Sequence, residues 1–121
     1  MVRAVRSQPA DAPPRVMWVE PEDGAQGVLC DSVVLVRFSQ PIDPESLGQL
    51  QWLDPDGDVP ARFETSRDRR VLIARAERLL FPFTPHLLRI DGLRDGRGRP
   101  LPGVETRFVS GPIAHVDFAD V

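Results

Sequence analysis

The sequence contains no lysine, no asparagine and no tyrosine, one cysteine and two histidines in 121 residues. Each shortage closes off a kind of chemistry. Cys30 has no second cysteine to pair with inside the chain. With only His86 and His115 beside it, a four-ligand Cys/His zinc site from this chain alone is excluded. One thiol, two scattered imidazoles and no amine or phenol leave neither a catalytic triad nor a catalytic metal set, so no catalytic and no metal residue is assigned and no enzyme is expected. All the basic residues are arginines, dispersed along a chain of formal charge −3. Nucleic acid wants a clustered basic face, so no nucleic-acid partner is expected. No apolar run approaches the roughly 20 residues that cross a bilayer, so the chain is not expected to span a membrane. The start, MVRAVRSQPADAPP, has basic residues without an apolar block behind them and does not read as a signal peptide.

What is present fits one domain. The chain is 41% hydrophobic and 27% charged, as in an ordinary globular protein, and its 13 prolines and 9 glycines are scattered between short apolar runs. Residues 1–14 read as a flexible linker or tail, 15–111 as the folded domain and 112–121 as a C-terminal tail or linker. Seven short strands are predicted: 15–20, 33–38, 48–53, 59–64, 70–74, 86–90 and 106–110. With turn chemistry between them and no amphipathic helix, they argue for an all-β, immunoglobulin-like antiparallel sandwich. Period-two alternation places Val34, Val36 and Phe38 inward and Val33, Leu35 and Arg37 outward. The expected core is Val34, Val36, Phe38, Leu50, Trp52, Phe63, Val71, Ile73, Leu88, Ile90 and Phe108.

The stretch VRFSQPIDPESL, 36–47, gathers Ser39, Asp43 and Glu45 and is the nearest thing to a reactive constellation. It reads as a corner instead. Pro41 cannot donate to a ladder. Asp43 before Pro44 has the form of an N-cap followed by proline in the first turn. A one-turn helix over 44–47 is predicted, with Asp43 occupied by backbone N–H groups and Leu47 in the core. DPDGD, 54–58, is a hairpin signal; its alternating carboxylates lack the length and closing Glu of a helix–loop–helix calcium site.

The series PPRVMWVEPEDGAQGV, then VVLVRFSQPID, then LFPFTPHLLRIDGLRDGRGRPLPG, resembles the bacterial Ig-like domains of the type found in the S-layer protein SbsA, over about 16–111. The resemblance implies an Ig-type sandwich without cofactor, used as a spacer, stalk or adhesion module. Such modules stand in tandem in surface or secreted proteins, so it also implies an extracytoplasmic place. His86 stands where that family has Tyr at the start of the sixth strand, and is expected to donate a hydrogen bond to the corner backbone in its stead. Phe83 stands where the family favours glycine, Phe81 where it favours a small residue, Gln40 for Glu and Arg99 for Asn. A P.DGA…V.L.FS.P run is also similar to periplasmic copper-binding sandwiches of the CopC type. Their metal is held by a mature N-terminal histidine that has no counterpart here.

Two functional readings stand ahead of a CopC-like metal-binding sandwich. In one the domain is a spacer whose partners are neighbouring domains of the same chain. In the other it is a subunit that binds a protein partner through an apolar patch of Val33, Leu35, Phe81 and Phe83, with Met17 or Val19, or through a sheet edge, with 113–118 able to pair. Whether that patch is open or covered by a tail, loop or neighbouring domain is left even by the sequence.

Overall fold

The computed structural model describes residues 12–112. It is an all-β sandwich. The strands are β1 (Val16–Glu20), β2 (Ala25–Val28), β3 (Val34–Phe38), β4 (Gln51–Asp54), β5 (Gly57–Asp58), β6 (Ala61–Thr65), β7 (Val71–Ala76), β8 (Pro85–Ile90) and β9 (Val104–Ser110). One sheet has the order β1-β3-β7-β6, the other β2-β9-β8-β4-β5. All pairings are antiparallel except β2 with β9, which is parallel.

The seven predicted strands are present within a few residues, and two short ones join them. AQGV, read as loop, runs along β9 as β2. Gly57–Asp58 closes a hairpin on β4, with Asp54 opposite Gly57 and Leu53 opposite Asp58. Gly57 takes φ 121°, a conformation that favours glycine.

The alternation on β3 sets the core. Val34, Val36 and Phe38 are fully buried and Val33, Leu35 and Arg37 only partly so. On β7 the expectation is one residue out of phase. Leu72 and Ala74 are buried, whereas Val71 and Ile73 pair with the outward Arg37 and Leu35 and lie on the outer face. The run VLIA is apolar on both faces, because β7 is an interior strand whose outer side is half-covered by β3 and β6; its period carries no phase. Leu50 and Phe63 are half-buried and pack against the core from its margin. Trp52, Leu88, Ile90 and Phe108 lie inside.

The core has two halves. Val36, Phe38, Ile42, Leu72, Ile90, Leu93 and Leu101 form one, and Cys30, Val34, Trp52, Val59, Ala74, Leu80, Leu88 and Phe108 form the other. The chain path runs between them. The Ser39 N–H donates to the Arg15 carbonyl, the Arg15 N–H donates to Ser39 Oγ, and Arg99 Nη1 donates to the Ala12 carbonyl, so the chain enters beside the aliphatic half. β9 leads away from that end and leaves at Gly111, next to Cys30 and Phe83, at the other. Its seven residues span about 23 Å.

Candidate functional site

Three regions carry the functional candidates: the corner at the entering end, the buried histidine, and the apolar surfaces.

Asp43 Oδ1 accepts from the Glu45 N–H (3.0 Å), and Pro44–Gln49 forms a 3₁₀ turn with proline at its start. That turn runs two residues beyond the predicted one, and Leu47 is half-buried against the core. The Asp43 carbonyl accepts from Ser46 Oγ–H (2.7 Å), and Ser46 Oγ accepts from the Arg94 N–H (3.0 Å). Ser39 Oγ accepts from the Arg15 N–H (2.8 Å), and its carbonyl accepts from Arg70 Nη1. Ser39, Asp43 and Ser46 are thus committed to backbone, and His86 lies in the other half of the molecule.

Sequence reasoning passed over the centre of this corner, Asp95. It is 2% exposed. Its Oδ1 accepts from the Arg97 and Arg99 N–H groups (both 2.9 Å), and Oδ2 accepts from Arg99 Nε (2.8 Å). Burial pushes this carboxyl up, but the backbone N–H donors and the Arg99 guanidinium outweigh it and hold the pKa below the ordinary carboxylate range. The signal was available: Asp before Gly-Arg-Gly is a side-chain-capped turn.

His86 does not make the expected bond to corner backbone. It is buried, and its Nδ1 accepts from Trp52 Nε1–H at 3.1 Å. The imidazole stacks on Phe108 (centroids 5.1 Å, planes 23° apart), and Trp52 meets both rings edge-on. Accepting from Trp52 fixes the neutral tautomer with its proton on Nε2, and Nε2 is buried without a partner among the described residues. Burial lowers the pKa of His86, and the Asp54 charge offsets this only in part. The cross-strand indole takes the place of the corner backbone as the partner of His86. Cys30 is also buried; its Sγ lies 3.5 Å from the Gly111 carbonyl, and burial followed by the Asp31 charge pushes the thiol pKa up. Among the described residues no cluster of three or more His, Cys, Asp and Glu side chains is arranged to hold a metal, and no helix is long and apolar enough to cross a membrane.

The proposed patch divides. Phe81 and Phe83 stand in water at 55% and 71% exposure, joined by Leu29 and Leu79. Val33 and Leu35 are half-buried, Leu35 between Glu20 and Ile73 on the outer face of its sheet and Val33 in a cleft with Cys30 and Arg78. Met17 is exposed, whereas Val19 packs against the core. A separate open groove of about 500 Å³ crosses the outer face of the second sheet, lined by Leu53, Pro55, Pro85, Leu87 and Val109 with Asp54 and Arg107 beside them. The segment 113–118, read as a pairing strand, and most of both expected tails lie outside the described residues.

No protein-family model and no curated protein matches the sequence. Solved structures do. Domains 1–6 of the surface layer protein SbsC are similar at 15% identity and TM-score 0.61, over 86% of this chain and 14% of that one. CopC from Methylosinus trichosporium OB3b is similar at 16% identity and TM-score 0.66, over 86% of this chain and 99% of that one. An L,D-transpeptidase from Mycobacterium smegmatis is similar at 23% identity and TM-score 0.58, over 83% of this chain and 41% of that one. The likeness is one of fold: a β-sandwich shared with an S-layer protein, of whose chain this one spans a small part.

Proposed function

We propose that this sandwich is a non-enzymatic structural module of a bacterial extracytoplasmic protein, a spacer or stalk joined to neighbours at its two ends. The observation that carries the reading is the chain path, which enters beside Ser39 and Arg99 and leaves beside Cys30 and Phe83 at the opposite end. A module threaded this way adds its full length to whatever it connects. The fold likeness to SbsC supports the same reading. So does the corner chemistry, where Asp43 Oδ1 and Ser39 Oγ each accept from a backbone N–H and the Glu45 carboxylate is not required for either bond. A head-to-tail fusion of two copies, measured by small-angle scattering, is expected to be an extended pair with the sandwiches in line. A compact, folded-back pair overturns the spacer reading.

The second reading, a subunit that docks a protein partner, is favoured by the exposed Phe81 and Phe83. It expects Phe83→Asp to weaken association in sedimentation with the melting temperature unchanged. Unaltered association counts against it.

A further inference from the structure

The two sheets end in four edge strands, and three of them are poorly shaped for pairing. β1 is irregular between Val16 and Trp18, β2 is irregular between Ala25 and Val28, and β5 has two residues. Irregular or very short edges resist pairing with another chain. β6 has no such guard. Its five residues run in unbroken register along β7, and none is proline or glycine.

The free side of β6 follows from its ladder. The Ser66 N–H donates to the Val71 carbonyl and the Glu77 N–H to the Pro60 carbonyl, both at 2.9 Å. By antiparallel alternation, 60, 62, 64 and 66 are then the residues that bond to β7. The N–H and C=O groups of Ala61, Phe63 and Thr65 point the other way. Among the described residues nothing bonds to them; the 3₁₀ turn beside β6 bonds to Asp43 and Arg94 instead.

The side chains of the strand specify what fits there. On the outer face Arg62 lies directly opposite Arg75, and Glu64 binds Arg75, with Nε 2.8 Å from Oε2. Arg62 thus faces a like charge, which is unfavourable across a sheet, and has no ion-pair partner among the described residues. On the inner face Phe63 is half-buried at the margin of the core. A second β6 laid antiparallel about a two-fold axis at Phe63 answers both. Arg62 then faces Glu64 of the copy, Glu64 faces the copy's Arg62, Ala61 faces Thr65, and the two Phe63 side chains meet. Sliding the copy by two residues puts Arg62 against Arg62 or Glu64 against Glu64, and sliding it by one turns the faces over, so the charges select one register.

We propose that β6 is a self-complementary edge through which two copies of this chain pair. Two four-stranded sheets join there into one of eight. About six backbone hydrogen bonds from Ala61, Phe63 and Thr65 hold the junction, and an Arg62–Glu64 ion pair flanks the axis on each side. The contact lies on the flank of the sandwich. It therefore goes beyond the spacer reading without resting on it, and a folded-back fused pair would leave it untouched.

The test is sedimentation of the full chain up to roughly 1 mM, with Arg62→Glu, Glu64→Arg, and an equimolar mixture of the two. The native chain is expected to form dimers, and the amides of Ala61, Phe63 and Thr65 to exchange more slowly as its concentration rises, while those of Arg62 and Glu64 are slow throughout. Each single variant sets like charges across the axis and should dissociate at least about tenfold more readily. In the mixture every such pair is again of opposite sign, and association should return. Arg62→Glu places a carboxylate opposite Arg75, so its fold is kept and loss of association is not loss of structure. A native chain that stays monomeric at the highest concentration overturns the proposal. So does a native dimer that both single variants leave unchanged, or a mixture that associates no better than its components.

Discussion

The two half-cores are built on opposite plans. Beside the entering chain the interior is hydrocarbon with one aromatic, Phe38, and the polar groups that cap it are matched: Asp95 with three donors, Ser46 with Asp43 and Arg94. Beside the exit the interior holds an indole, an imidazole, a thiol and a phenyl ring, one buried nitrogen lacks a partner, and four large apolar side chains stand in water. Both ends expose apolar side chains, Met17 and Trp18 on β1 and the four at the exit, but only the exit half holds a buried nitrogen without a partner among the described residues. A sandwich can rest its stability on one end and keep the other for joining.

The sharpest way to break that contrast is to remove its anchor. Phe38 is fully buried in the aliphatic half, and Phe38→Ala should cost about 3–5 kcal/mol, read as a lower urea midpoint. For a domain stable by about 5–15 kcal/mol this is a large share. Phe63 bridges the two halves at the margin and is half-buried; Phe63→Ala should cost about half as much. Equal losses would mean that the margin of the core is packed as tightly as its aliphatic centre.

Next in size is the corner. Asp95→Asn removes charge-assisted bonds while keeping shape, and should cost about 1.5–3 kcal/mol. The sign with pH follows from the depressed pKa. The unfolded carboxyl takes up a proton first as pH falls, so the stabilisation is complete well above about pH 4 and fades below it. Acid unfolding of Asp95→Asn should therefore be less steep there than that of the native chain.

His86 titrates in a different window. Its folded pKa is lowered by burial, so between that value and the unfolded value near 6.5 the unfolded chain binds more protons. Stability should fall as pH drops below about 6.5, by no more than about 1.4 kcal/mol per pH unit for one proton. A proton on Nδ1 would also oppose the Trp52 indole donor. His86→Phe should flatten this part of the curve, and chemical denaturation at several pH values measures it. A slope that survives the substitution belongs to another group.

How much of this was legible follows the same division. The β3 alternation could be read because polar residues break it at Arg37 and Ser39. The β7 phase could not be read from VLIA, although the exposed Arg75, at the same parity as Ile73, was the clue to it. The cap at Asp43 is local, and local chemistry suffices for it. The Trp52–His86 pair joins residues 34 apart across β4 and β8, and no short motif encodes it. β2 was hidden by its glycine and by pairing in parallel with β9, the last of the described strands. The patch was half legible: exposure of loop phenylalanines follows from turn signals, whereas the half-burial of Val33 and Leu35 depends on the neighbouring strands β1 and β7.

The smallest effect distinguishes the ends most cleanly. Each end carries one non-glycine residue in the left-handed region, Arg69 at φ 62° and Phe83 at φ 55°. Arg69 is fixed by local bonds: its N–H donates to the Ser66 carbonyl, and its carbonyl accepts from the Ile42 N–H at 2.6 Å. Replacing either residue by glycine relieves about 1 kcal/mol of steric cost and loses part of it again to the greater freedom of the unfolded chain. Each should stabilise by a few tenths of a kcal/mol, and because the two are in separate loops the gains should add. Arg69→Gly should change nothing else, since its backbone bonds do not need the side chain. If Phe83→Gly shows the same isolated gain and leaves the exit surface as it was, then the open end of the sandwich is as self-sufficient as the closed one.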